Sequence, residues 1–361
     1  MSDMEVLRLA GAPGVGKSTV AWAIAQRLAD AGVPTGYLDI DQLGMCYPAP
    51  PDDPDRWALK ETALARLAVR FRDAGVERLV VSGVADPTQP PPASGLPTSS
   101  LWLDADEETR RRRLTPRRWE REQVDAALVA GTEEASAAHP AWERLDTAHS
   151  TIDETVRAVI ARPAVAAEGA SDVVFPEKHA TGRVIWITGP RCAGASRVGW
   201  ELARRQWAAG ERTGFLDVAQ LSFAWNADPV NGAAAVALLQ AVFAEVGAKT
   251  LIAVAPFEVP PKDVRAAFPR ASVRFFRLDA DDRTRRDHAV RRAEGVDGAV
   301  LAGDDLIGAG ADVVERIVAI GARQRASSSR PGETLIDSPA SSLTQVVARV
   351  RELAGLTALP D

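Results

Sequence analysis

The sequence predicts an α/β fold in two tandem domains, each a mostly parallel sheet flanked by helices. Three observations predict it. Strand-like apolar runs alternate with helical ones, the pattern of a parallel sheet with crossover helices. A glycine-rich stretch, GAPGVGKST at 11–19, lies between the first strand and the first helix. A stretch with the same glycine spacing, GPRCAGASR, recurs at 189–197. The chain has 361 residues, 46% hydrophobic and 25% charged, which suits two globular domains.

Residues 5–10, EVLRLA, read as a short buried strand. Residues 17–32 read as a helix, with Val20, Ile24 and Leu28 on one face and Gly32 as its stop. TGYLDID, 35–41, reads as a second strand ending in Asp39 and Asp41, whose spacing of two puts both carboxylates on one side. The irregular loop that follows is long enough to suggest a function, and Tyr47 and Trp57 flank it as candidate stacking or core residues. Residues 56–75 form a helix with Leu59, Ala63, Leu67 and Phe71 inward. RLVVSGVAD, 78–86, is a third strand; Asp86 after it could hold a cation through water or cap a turn. A proline-rich connection leads to a fourth strand, LWLDAD, and an arginine-rich helix at 107–118. ERLDT, 143–147, is a candidate fifth strand, and Thr151 with Glu154 makes a capping box for the last helix of this half. A ligand of such a sheet is expected at the carboxyl ends of the strands.

Gly11, Gly16, Lys17 and Ser18 fit the spacing GxxxxGK[ST]. Gly11, Gly14 and Gly16 allow tight turns that point successive N–H groups inward. Those groups and the helix N-terminus attract phosphate, the lysine reaches the β- and γ-phosphates, and the serine hydroxyl ligates Mg²⁺. Lysine is scarce here, five of 43 basic residues, so its place in the loop is informative.

Shifting the chain by 178 residues lays 11–43 over 189–221 with 15 of 33 positions identical. The match continues with small offsets: 71–83 over 243–255, 103–111 over 278–286 and 144–156 over 335–347. The domains are therefore expected at 1–162 and 182–361, joined by a linker over 163–181 rich in Ala, Gly and Pro. In the second copy Ala195 stands for Lys17, Ala219 for Asp41, Cys192 for Gly14 and Arg197 for Thr19, while Asp217 and Ser196 match Asp39 and Ser18. That copy is expected to bind nucleotide weakly or not at all; the alternative is binding through Arg191 or Arg197.

The net charge of −6 argues against a dedicated nucleic-acid binder. No apolar run approaches the length of a membrane helix, and the N-terminus lacks a signal-peptide layout, so a cytoplasmic location is expected. The two cysteines are far apart and the four histidines have no metal-ligand spacing.

The loop GAPGVGKS, the DID after the second strand, the VVSG of the third, LDADEETRRRR and the tail DT…STIDETV resemble the small P-loop kinases. That group has the nucleoside-monophosphate-kinase-like fold and includes gluconate, shikimate and adenylyl-sulfate kinases, chloramphenicol phosphotransferase and zeta toxins. The resemblance covers each half in outline, and only the loop is highly specific. It implies two P-loop NTPase domains, the second degenerate, with ATP and Mg²⁺ as ligands and transfer of the γ-phosphate to a hydroxyl of a small molecule. Gly11, Ala12, Pro13, Gly14, Val15, Gly16, Lys17, Ser18 and Thr19 match the nucleotide loop, and Ser18 with Asp39 the metal side. Asp41, or failing that Asp39, matches the carboxylate that contacts the acceptor hydroxyl. Arg110, Arg113 and Arg117 match a cationic lid that closes over the phosphates, with Arg113 expected to be catalytic; the alternative for this run is a solvated helix face. The acceptor-binding segment matches no one substrate class. A monomer with pseudo-dimeric halves, or a homo-oligomer, is expected. The competing expectation is a nucleotide-dependent switch whose second domain holds a partner.

Overall fold

The structure is a computed structural model that describes residues 4–92, 96–115, 120–162, 180–296, 301–327, 330–337 and 342–356. In chain order the elements of the first half are β1 (Glu5–Gly11), α1 (Lys17–Asp30), β2 (Thr35–Asp39), α2 (Ile40–Leu43), β3 (Cys46–Tyr47), α3 (Trp57–Asp73), β4 (Arg78–Ser82), β5 (Thr98–Asp104), α4 (Glu107–Leu114), α5 (Arg121–Ala137), β6 (Glu143–Asp146) and α6 (Ile152–Ile160). The second half has β7 (Thr181–Thr188), α7 (Ala195–Ala208), β8 (Thr213–Asp217), a 3₁₀ turn at Val218–Leu221, β9 (Phe223–Trp225), α8 (Gly232–Glu245) and β10 (Thr250–Val254). It ends with α9 (Pro261–Ala267), β11 (Arg270–Asp279), α10 (Asp282–Ala293), α11 (Ala311–Ala326), β12 (Glu333–Asp337) and α12 (Leu343–Ala354).

The chain divides into two compact units, and each takes one short segment from the other half of the sequence. The first comprises Met1–Gly44, Trp57–Pro176 and Ser222–Val230; the second Met45–Arg56, Glu177–Leu221 and Asn231–Asp361. This differs from the contiguous domains the repeat predicts. Hydrophobic pattern and repeat offset report which residues form a strand, and neither reports which sheet the strand joins. The linker expected over 163–181 lies mostly outside the described residues, and β7 opens at its end, at Thr181.

The first unit holds a six-stranded sheet in the order β6-β5-β1-β4-β2-β9. Its first five strands are parallel and β9 runs antiparallel against β2. Central β1 is buried at Val6, Leu9 and Ala10, as an interior parallel strand should be. Helix α1 turns Val20, Ala21, Ile24 and Ala25 inward and stops at Gly32, whose φ of 82° suits glycine. Helix α3 buries Leu59, Ala63, Leu67 and Phe71, the face its spacing predicts. Thr151 and Glu154 form the expected capping box of α6.

Three expectations change. β2 stops at Asp39, so Asp41 lies on the short helix α2. The arginine-rich helix ends at Leu114, and residues 116–119, Arg117 among them, lie outside the described residues. A further helix, α5, follows where the sequence reading has no element, and packs Val124 and Leu128 against Leu114.

The second unit's sheet has the order β12-β11-β7-β10-β8-β3, with β3 antiparallel to β8. Its core gathers Ile185 and Ile187 of β7, Leu202 of α7, Ile252 of β10 and Val347 of α12. Among the described residues no helix is long and apolar enough to cross a membrane.

Candidate functional site

In the first unit the loop between β1 and α1 sits at the carboxyl end of the sheet, beside the ends of β2, β4, β5 and β6. Parallel strands leave these ends together, and the connections above them can converge on one ligand. Gly11, Gly14 and Gly16 have φ of 139°, 87° and 98°, so the loop needs the left-handed freedom its spacing predicts. Gly11 has a second constraint, because a Cβ there would collide with the Leu103 carbonyl. Gly16 is different: a Cβ would meet nothing closer than Arg113 Nη1 at 3.7 Å, so the space above it is open. Gly16 is also the N-cap of α1 and supplies no side-chain acceptor, leaving the first N–H groups of the helix turned to that space. Lys17 curls back and donates from Nζ to the Ala12 carbonyl at 2.9 Å, holding its ammonium against the loop.

Behind the loop, Arg110 and Arg113 reach across from α4. Arg110 is only 2% exposed; it donates to the carbonyls of Pro13 at 3.1 Å and of Ala127 and Leu128 at 3.0 Å. Gly131 of α5 makes room for it, since a Cβ there would strike the guanidinium. Arg110 is therefore a brace between the loop and α5, not a lid cation as the resemblance implies. Arg113 donates to the Val15 carbonyl at 3.1 Å and to the Thr147 carbonyl at 2.8 Å, and it stands beside Gly16. The Thr147 hydroxyl, after β6, lies 2.9 Å from the same Val15 carbonyl. Arg113 thus borders the open space while fixing the loop's shape.

Two carboxylates complete the site. Asp39 caps α2 by accepting from the Asp41 N–H at 2.9 Å. Both carboxylates face Gly83 after β4: a Cβ on Gly83 would lie 3.4 Å from Asp39 Oδ1 and from Asp41 Oδ2. They share a side because of this cap, not through strand alternation. Burial pushes the Asp39 carboxyl up to about 7, the negative charge of Asp41 adds to the rise, and the Asp41 N–H, Lys17 and Ser18 oppose it. Burial and the nearby Asp39 charge also raise the Tyr37 phenol, which shares a 2.9 Å hydrogen bond with Ser82.

The raised Asp39 gives a testable sign. Between about pH 4 and 7 the native state holds a proton here that the unfolded chain has released. Its stability therefore falls as pH rises through that window. Asp39→Asn keeps the cap acceptor and removes the titration. Melting temperatures at pH 4.5 and 7.5 should show a smaller fall toward neutral pH in the variant than in the wild type, with equal falls as the contrary result.

Lys60 was not singled out as a site residue from sequence. It lies on α3, 4% exposed, with Nζ 3.6 Å from Asp41 Oδ1 and 4.5 Å from the centre of the Trp57 ring. Its stem packs over Gly44, where a Cβ would lie 2.6 Å from Lys60 Cε. The scarcity of lysine was the available signal. In the register that sets Phe71 over Phe243, Lys60 falls on Gly232, so the second half lacks the counterparts of Lys17, Asp41 and Lys60 together. Tyr47 belongs to the second unit and packs against Trp207 at 4.9 Å. Asp86 accepts from the Thr88 N–H and hydroxyl, the turn cap of the two readings.

The second unit's loop keeps the left-handed turns at the counterparts of Gly14 and Gly16, with different contents. Gly194 has φ of 90° and Cys192 takes φ of 64° where the first loop has glycine. His288 stands where Arg113 does, its Nδ1 2.9 Å from the Cys192 carbonyl. Arg285, fully buried, mirrors Arg110 and donates to the Val318 carbonyl at 3.0 Å. Arg191 pairs with Asp305 at 2.6 Å, and Ser196 lies 3.4 Å from Asp217. Burial raises the Asp217 carboxyl to about 6, with the Ala219 N–H and Ser196 opposing.

No family model matches the chain, and no curated protein matches it. Among the solved structures that resemble it, two match less than half of the chain. One is described as the crystal structure of APE1195, at 20% identity, a TM-score of 0.27, and coverage of 44% of this chain and 94% of that one. The other is a gluconokinase from Sinorhizobium meliloti 1021, at 19% identity, a TM-score of 0.29, and coverage of 44% and 91%.

Proposed function

We propose that the first unit is an ATP-dependent kinase that transfers the γ-phosphate to a hydroxyl of a small molecule, and that the second unit is a duplicated copy without that activity. One observation carries the proposal: the open cradle over Gly16 is bordered by the ammonium of Lys17, the guanidinium of Arg113 and the paired carboxylates of Asp39 and Asp41. A phosphoryl group in transfer spreads charge over three oxygens, and catalysis is mainly its positioning and neutralisation. The backbone N–H groups from Val15 to Thr19, Lys17 and Arg113 supply those donors. The neighbouring hydroxyl of Ser18 and carboxylate of Asp39 are hard oxygen ligands that fit Mg²⁺, which when bound would neutralise the β- and γ-phosphates.

Asp41, 45% exposed at its side chain, orients the acceptor. The acceptor oxygen attacks the γ-phosphorus, the bond from that phosphorus to the bridging oxygen breaks, ADP leaves, and the hydroxyl proton passes to Asp41. Lys60 holds Asp41 in place from the buried side. Asp41→Ala should lower turnover by about 10²–10⁴-fold with ATP affinity kept. Lys60→Met should lower it by about tenfold to a hundredfold, with Lys60→Arg recovering part. Both are read as ADP release in the presence of a panel of alcohol-bearing metabolites, paired with ATP binding. ADP released at the same rate without any acceptor would instead make the chain a nucleotide-driven switch.

A further inference from the structure

We propose that the second half of the chain serves as the strand donor of the first unit, so that β2, with Asp39 at its end, is held in place by residues 222–230. The parallel sheet of the first unit would otherwise end at β2, whose outer edge would be open. β9 closes it, with Trp225 opposite Thr35, Ala224 opposite Gly36 and Phe223 opposite Tyr37. A three-residue strand has little stability of its own, and this one is anchored by aromatic rings. Trp22 of α1 meets Tyr37, Phe223 and Trp225 edge-on at centroid distances of 5.2, 5.0 and 5.3 Å. Phe223 and Trp225 lie parallel at 6.0 Å. Beyond the strand, Asn226 donates to the Ala29 carbonyl at 2.7 Å, and the Asp228 N–H donates to the Ala74 carbonyl at 2.9 Å. The segment is thus fixed by its rings and by the bonds that follow the strand.

The donation is reciprocal, which argues against chance pairing. In the second unit β3 sets Tyr47 opposite Thr213 and Cys46 opposite Gly214. Shifted by 178 residues these are the pairings Trp225–Thr35 and Ala224–Gly36. The Phe215 N–H donates to the Met45 carbonyl at 2.8 Å, and Arg212 donates to the Pro48 and Ala49 carbonyls at 2.8 and 3.2 Å. Each half carries in the same place a segment that completes the other half's sheet. A second copy stripped of the counterparts of Lys17, Asp41 and Lys60 still has this work to do, whatever reaction the first unit performs.

The test is a thiol cross-link in the full chain, with Cys46→Ala and Cys192→Gly to clear the background. Ala74→Cys with Asp228→Cys should join within one chain on treatment with a short bis-maleimide. Ala74→Cys with Pro50→Cys, the repeat equivalent, should not. The reverse pattern, or a link in neither pair, would overturn the proposal, because each half would then keep its own segment or leave it undocked. A link only between two chains, seen as doubled mass, would overturn donation within a chain. The structural role is read by hydrogen exchange in Phe223→Ser/Trp225→Ser. Exchange at 35–39 should quicken by about tenfold or more while β7 and β10 keep their protection. Unchanged protection at 35–39 would show that β2 does not depend on the donor. Should the double variant aggregate, the cross-links alone decide.

Discussion

Replacing Lys17 by alanine should lower phosphoryl transfer by on the order of 10²–10³-fold, the usual cost of removing one preorganised donor from a developing charge. Lys17 is held by the Ala12 carbonyl at 2.9 Å, so its ammonium waits beside the cradle and little ordering is needed when phosphate arrives. Alanine at this position is also what the second half carries, at Ala195, on a backbone whose capping glycine has nearly the same φ, 90° against 98°. The substitution leaves the helix intact, since alanine is the best helix former. An unchanged melting temperature together with lost ADP release would assign the effect to chemistry. Turnover within a few-fold of wild type would remove Lys17 from the reaction.

Replacing Arg110 by leucine should destabilise the first unit by about 3 kcal/mol, because the carbonyls of Pro13, Ala127 and Leu128 lose a charged donor in a buried setting. Leucine fills part of the volume and none of the hydrogen bonds. The same change frees the Pro13 end of the loop, so nucleotide affinity should fall with stability. A lid arginine would behave in the opposite way, losing turnover with no change in melting. Differential scanning calorimetry with and without Mg·ATP separates the two. The equivalent Arg285→Leu should destabilise the second unit and leave nucleotide affinity unchanged.

The parts of the molecule legible in the sequence are those set by local spacing. Gly11, Gly16, Lys17 and Ser18 define a loop over eight residues, and the helix face Leu59, Ala63, Leu67, Phe71 follows from periodicity alone. What was not legible depends on distant neighbours. The arginines of α4 look alike in sequence, yet Arg110 is buried beneath the loop and Arg111 is exposed and paired with Asp125. The difference is made by α5 packing over one face of α4. Asp39 and Asp41 read as strand residues because TGYLDID alternates, but Asp39 is a strong helix N-cap and turns the chain into α2 first. Lys60 needed the tertiary contact with Asp41 to stand out. The placement of β9 beside β2 could not be read at all, since the aromatic run Phe223–Trp225 suits the edge of either sheet equally well.

The proposed function requires a single working nucleotide site, in the first unit of a chain that carries two loops. Titration of Mg·ATP into the full chain by calorimetry tests it most directly. One site per chain, lost in Lys17→Ala, is the result expected. Two sites, or one that persists in Lys17→Ala, would place nucleotide on the loop at 189–197 and contradict the division of roles between the halves.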